Sequence, residues 1–299
     1  LGNGTTTPSP LPVAVSGITD AIEITTGVNH SCVVRETGSV WCWGDNSFGQ
    51  LGNDDPSSSV PVQVAGIADA ELLAAGHHHT CAMLGDTTAR CWGRNDAGQL
   101  GNGTINDSSA PVAVGGATPL TNVTDIGVGS FHSCAVLESG AARCWGDNWA
   151  GQLGDNTVST RTLPVAVNLL TTASAIDGGN GFTCANTATV EAYCWGNNGQ
   201  GQLGDGTFTE RRQPTLVVFP AFTISGGRVF ENAGPLPFTV QLNIDLPVAV
   251  SVNYATSDGS ATSGSDYMPA SGTLTIPAGQ TQGIVNVAIT NDALVEPDE

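Results

Sequence analysis

CWGDNSFGQLG, starting at Cys42, decides the reading of this chain, because it is written three more times: CWGRNDAGQLG from Cys91, CWGDNWAGQLG from Cys144 and CWGNNGQGQLG from Cys194. Each copy follows a second cysteine ten positions upstream, in His30-Ser31-Cys32, His79-Thr80-Cys81, His132-Ser133-Cys134 and Phe182-Thr183-Cys184. A period of about 50 residues, built of short apolar runs and glycine turns, predicts a propeller or a similar stacked array. One repeat cannot bury its own apolar face, so neighbouring repeats must cover it.

Midway between the paired cysteines stand Thr37, Asp86, Ser139 and Thr189, three of them beside glycine, which suits the tip of a hairpin. A hairpin so placed sets its two cysteines opposite one another, within reach of a bridge. The expected disulfides are Cys32–Cys42, Cys81–Cys91, Cys134–Cys144 and Cys184–Cys194, each contributing roughly 2–3 kcal/mol. Zinc on His30, Cys32 and Cys42 is the rival reading. It offers three ligands per repeat where a structural site uses four, and the fourth repeat replaces the histidine by Phe182. Four bridges imply an oxidising compartment, so an extracellular or cell-surface location is expected.

Each repeat also carries a proline-led strand, as in Leu11–Val15, Val60–Val64, Ala110–Val114 and Leu163–Val167, and Gln213–Val217 is a fifth with no cysteine hairpin after it. A second apolar strand, such as Ala21–Ile24 or Val123–Ile126, leads into the hairpin, which makes about four strands per unit, the content of one propeller blade. Trp43, Trp92, Trp145 and Trp195 adjoin the second cysteine and so point to the opposite strand face, where packing between blades is the expected use. The glutamine of each Gly-Gln-Leu-Gly is expected to bond backbone. Leu1–Thr5 reads like Leu100–Thr104, so the chain is expected to begin inside a repeat.

The His-x-Cys pairs with Cys-Trp-Gly-x-Asn-x-x-Gly-Gln-Leu-Gly resemble the repeats of the regulator of chromosome condensation family over residues 1–219. That resemblance implies a β-propeller, normally of seven blades, of which four hairpins are written here. After Phe219-Pro220-Ala221 cysteine, tryptophan and histidine vanish. Phe238–Leu242, Val248–Tyr254, Gly272–Ile276 and Gly283–Ile289 alternate like sandwich strands. Together with Glu231–Gly234, Tyr254–Ala261, Gly264–Tyr267 and the acidic run to Glu299, residues 220–299 resemble a Calx-beta domain. The expected class is therefore all-β: a disulfide-stitched propeller followed by an immunoglobulin-like sandwich. The second resemblance implies a calcium site whose ligands would be Glu231, Asp258, Asp292, Glu296 and Glu299. Ca²⁺ takes six to eight oxygens from such groups. Asn291 stands where an acidic residue is common, and Asp266 is a candidate for bonding backbone in its own turn.

The net charge is −19, with eight arginines and no lysine. Such a surface repels phosphate backbones, which argues against a nucleic-acid partner. No apolar run reaches the roughly 20 residues of a membrane span, and no nucleophile elbow of the Gly-x-Ser-x-Gly kind is present. The expectation is a non-enzymatic extracellular repeat protein, an adhesin or a structural part of a surface or filament assembly. Its partners would be a protein, a surface glycan or further copies of itself. The alternative is a soluble propeller that binds and regulates one protein partner.

Overall fold

The computed structural model describes residues 1–227 and 234–291, and the chain divides into two compact units, Leu1–Val217 and Val218–Glu299. No helix occurs among the described residues. Every strand of the first unit belongs to one of four antiparallel sheets, each of four strands taken in chain order. Blade 1 is β1 (Ala21–Thr26), β2 (His30–Arg35), β3 (Val40–Gly44) and β4 (Ser58–Gln63). Blade 2 is β5 (Ala70–Ala75), β6 (His79–Leu84), β7 (Ala89–Gly93) and β8 (Ser108–Ala113). Blade 3 is β9 (Val123–Val128), β10 (His132–Leu137), β11 (Ala142–Gly146) and β12 (Arg161–Ala166). Blade 4 is β13 (Ala173–Gly178), β14 (Phe182–Thr187), β15 (Ala192–Gly196) and β16 (Arg211–Leu216).

The central hairpin of each blade puts its cysteines in register: Cys32 faces Cys42, Cys81 faces Cys91, Cys134 faces Cys144 and Cys184 faces Cys194. All four pairs are disulfide-bonded, with Cα atoms 4.0–4.1 Å apart. The propeller class with bridges inside each blade thus holds.

The proline-led strand does not open a blade; it closes the one before it. β4, β8, β12 and β16 pair with the Cys-Trp-Gly strands that precede them. Leu11–Val15, which follows no such strand, forms none, whereas Gln213–Val217 supplies most of β16. Nor is the proline the first residue of its strand. Pro61, Pro111, Pro164 and Pro214 each stand fourth, inside the stretch where the ladder to the inner neighbour shifts register. An outer strand with a bulge is where a residue lacking an amide hydrogen costs least.

The apolar core lies between blades. One cluster joins Cys32, Val34, Val40, Cys42 and Leu51 of blade 1 to Leu73, Ala82 and Trp92 of blade 2. The next joins Cys81, Met83, Cys91 and Leu100 to Ile126, Ala135 and Trp145. The third joins Cys134, Val136, Cys144 and Leu153 to Ile176, Ala185 and Trp195. At every interface the disulfide face of one blade receives the tryptophan face of the next.

The second unit has a three-stranded sheet, β17 (Phe222–Ser225), β18 (Leu236–Leu242) and β21 (Gln282–Val287), and a two-stranded one, β19 (Val250–Ala255) and β20 (Ser271–Ile276). Val240, Leu242, Tyr267, Ile276, Val285 and Val287 are buried among its described residues. Tyr267, Val285 and Val287 help to line a cavity of about 410 Å³.

Candidate binding face

The motif residues that look most like chemistry are joints between blades. Trp92 Nε1 donates to the Gln50 carbonyl at 3.0 Å, Trp145 Nε1 to that of Gln99 at 2.9 Å and Trp195 Nε1 to that of Gln152 at 2.9 Å. The same three carbonyls accept the hydroxyls of Thr80, Ser133 and Thr183. Each hydroxyl is in turn 2.8–3.0 Å from a histidine Nε2 of the blade before: His30, His79 and His132. A hydroxyl has one hydrogen, and a carbonyl can only accept. The hydrogen therefore goes to glutamine, and Nε2 must be the imidazole donor. Nδ1 is left bare and without a partner in all three rings. Burial holds these histidines neutral, lowering their pKa to about 4 for His30, about 3 for His79 and about 4 for His132. Gly27, Gly76 and Gly129 lie under the rings, and a Cβ on any of them would collide with the imidazole. The glutamine side chains turn back on their own loop, Gln50 Oε1 accepting from Phe48 N at 2.9 Å.

With the repeated residues assigned to scaffolding, the residues that break the repeat stand out. They come from the variable columns of the Cys-Trp-Gly motif and from the positions before each histidine. Blade stacking gathers them. The Arg94 guanidinium lies 5.1 Å from the ring of Phe48, on blade 1, and 5.4 Å from that of Phe131, on blade 3. Phe48 packs against His78 at 5.1 Å, and His77 meets Phe131 edge-on at 5.0 Å. His77 Nε2 is also 3.0 Å from Ser130 Oγ. Burial, followed by the charges of His78 and Arg94, keeps the His77 pKa below its usual value.

Three carboxylates border this cluster. Asp96 pairs with Arg94, whose Nε donates to it at 3.0 Å. Burial pushes the Asp96 pKa up, and bonds from Arg94 and Gln99 outweigh it, so the net direction is down. Asp45 is likewise lowered, burial being outweighed by bonds from Ser47, Ser57 and Gln50. Burial, with a smaller push from the Asp96 charge, raises Asp147. Trp149 is 54% exposed, and a Cβ on Gly181 of blade 4 would collide with its ring. Beside the cluster, Thr26, Gly76, His77, Ser130 and Gly179 help to line a cavity of about 300 Å³ where the four inner strands end. Aromatic faces around a cation, rimmed by carboxylates, form a surface suited to recognition.

Sequence reasoning did not single out Phe48, Arg94, Phe131 or Trp149. The available signal was departure from the repeat at otherwise fixed spacing.

Of the expected calcium ligands, only Asp258 lies among the described residues. Glu231, Asp292, Glu296 and Glu299 lie outside them. Asp258 is described, and both its oxygens serve a turn. Oδ1 accepts Ser263 N and the Tyr267 hydroxyl, each at 2.7 Å, and Oδ2 accepts Ser263 Oγ at 3.4 Å. Those bonds, the tyrosine's first, hold the Asp258 pKa below the usual carboxylate range. Asp266 accepts from Thr262 Oγ1 at 2.9 Å and from the Thr262 amide. Among the described residues, no group of three or more His, Cys, Asp or Glu side chains is placed to hold a metal.

The architecture defines an all-β repeat protein with a propeller unit followed by a sandwich. Models of the regulator of chromosome condensation (RCC1) repeat match residues 21–50, 72–99 and 123–152, and again 37–83, 91–136 and 191–229; the Calx-beta domain matches 217–299. The chain belongs to the regulator of chromosome condensation repeat family and carries a Calx-beta domain at its C-terminal side. Human WBSCR16 shares its fold at TM-score 0.59 and 23% identity, over 68% of this chain and 55% of that one. Yeast RCC1 (Prp20), solved bound to Kap60, does so at TM-score 0.60 and 21% identity, over 72% and 53%. Sodium/calcium exchanger 1 of dog and cattle and sodium/calcium exchanger 3 of human are 39% identical over 73 residues. That stretch is 24% of this chain and 8% of each exchanger, so the chain spans under a tenth of these curated relatives and about half of the solved ones.

Proposed function

We propose that the chain is an extracellular, non-enzymatic binding protein that serves as an adhesin or as a structural part of a surface assembly. In this reading the face built by Phe48, His78, Arg94, Phe131 and Trp149 is the contact surface. The observation that carries it is selective departure from repetition. The blades keep one set of joints, yet an aromatic and charged cluster drawn from three of them lies outside that set. Four buried or partly buried disulfides support the oxidising location. No helix among the described residues is long and apolar enough to cross a membrane.

Arg94→Ala combined with Trp149→Ala tests the reading. Adhesion of the purified protein to protein-coated and glycan-coated surfaces should fall at least severalfold, with an unchanged melting temperature. Equal adhesion by both proteins sinks it. The second reading is a propeller that binds one protein partner, and the solved complex of yeast RCC1 (Prp20) with Kap60 favours it. A saturable one-to-one complex in solution, with no retention on coated surfaces, would select it.

Calcium belongs to the same proposal, through Glu231, Asp258, Asp292, Glu296 and Glu299, and the exchanger relatives support it. Because a ligand that binds only the folded state stabilises it, millimolar calcium should raise the melting temperature of the second unit. Asp258→Asn should blunt that rise, and the absence of any rise removes calcium from the proposal.

A further inference from the structure

The fourth disulfide differs from the other three in its cover. Cys32, Cys42, Cys81, Cys91, Cys134 and Cys144 are each 0% exposed. They sit in clusters capped by Trp92, Trp145 and Trp195 of the following blades. Blade 4 has no following blade in the described chain. Cys194 is 6% exposed and Cys184 is only partly buried. The surrounding side chains change with that loss. Asn186, which is exposed, stands where Val34, Met83 and Val136 are buried. Phe182 stands where the other blades have a joint histidine, and no indole among the described residues donates to the Gln202 carbonyl. The turn that this bridge holds shut is also strained. Val190, 92% exposed, adopts φ 65° where blades 1 and 3 use Gly38 and Gly140, a conformation that Thr87 of blade 2 shares at φ 62°. A β-branched residue pays a steric penalty in that region.

We propose that Cys184–Cys194 is a thiol-exchange site for a small thiol, set apart from three bridges that the blade stack seals. The thiolate of the small thiol attacks Sγ of Cys184 and forms a mixed disulfide there. The Cys184–Cys194 bond breaks, and its electron pair leaves on Cys194 as a thiolate. A second thiolate then displaces Cys184, releasing the oxidised small-molecule disulfide and leaving both protein cysteines reduced. Exchange rates depend on access as well as on thiolate fraction. The partial cover of Cys184 admits a small thiol, whereas tryptophan and leucine bar it from the other three.

The test uses the native chain without denaturant. It is incubated with millimolar reduced glutathione, free thiols are trapped with iodoacetamide at intervals, and the peptides are mapped by mass. Cys184 and Cys194 should be trapped at least about tenfold sooner than any other cysteine, and the early glutathione adduct should sit on Cys184. Four bridges opening together, a buried bridge opening first, no opening before the chain unfolds, or an adduct confined to Cys194 would each overturn the proposal.

Discussion

Blades 3 and 4 are the same hairpin with different neighbours. On blade 3, Val136 is 1% exposed, His132 reaches Thr183 of the next blade, and the Gln152 carbonyl takes both an indole and a hydroxyl. On blade 4 the equivalent positions are Asn186, Phe182 and Gln202, and no further blade follows among the described residues. The strand register is conserved between the two, down to cysteine opposite cysteine. Hairpin formation is thus local, whereas the side chains at the joint answer to what lies across the gap. A terminal repeat with a polar outer face is the usual way to end a stack in water.

The largest expected effect breaks a joint at its centre. Trp145→Ala removes a fully buried indole and its bond to Gln99, and should destabilise the first unit by about 3–5 kcal/mol, read as a fall in denaturant midpoint. Trp43→Ala should cost less, because Trp43 donates to no glutamine carbonyl of an earlier blade. Equal losses would show that the joint carbonyl is irrelevant.

Acid should separate the blades next. The joint histidines hold a folded pKa of about 3 to 4 against an ordinary value of 6.5. Between those limits the unfolded chain binds protons that the folded chain refuses. Stability is therefore full above about pH 6.5 and is lost as pH falls toward 4, by on the order of several kcal/mol in sum. His132→Phe, the residue blade 4 uses, should flatten part of that slope. A stability profile flat from pH 7 to 4 in denaturant titrations would contradict the neutral-imidazole joint.

The smallest effects compare the two faces directly. Val136→Asn buries an amide without a partner and should cost roughly 2–3 kcal/mol. Asn186→Val changes an exposed position and should stay within about 0.5 kcal/mol. A large loss in the second variant would mean that blade 4 is covered after all.

Much of this was legible in the sequence. The cysteine spacing placed the hairpins and their bridges because both are local. The tryptophans' burial followed from strand alternation. The assignment of proline strands to blades was not legible, because Pro61 and its equivalents tolerate their place only through a bulge that no local pattern announces. The binding face was also hidden. Phe48, Arg94 and Phe131 belong to three different blades and meet only when these stack. Asp258 entered as a metal ligand through the Calx-beta resemblance, and the bonds it accepts from Ser263 and Tyr267 in its own turn were not legible in the sequence.

The joints make blades interchangeable parts. Blades 1–3 each carry a histidine and a glutamine for the blade after, and blades 2–4 each carry a hydroxyl and a tryptophan for the blade before. Remove blade 2 whole, and His30 and Gln50 would meet Ser133 and Trp145, which offer the same groups that Thr80 and Trp92 offered. A gene encoding such an array can gain or lose a unit in one step and still specify a closed seam. Among the described blades, only blade 4, with Phe182 and Asn186, lacks the groups that seat a following copy.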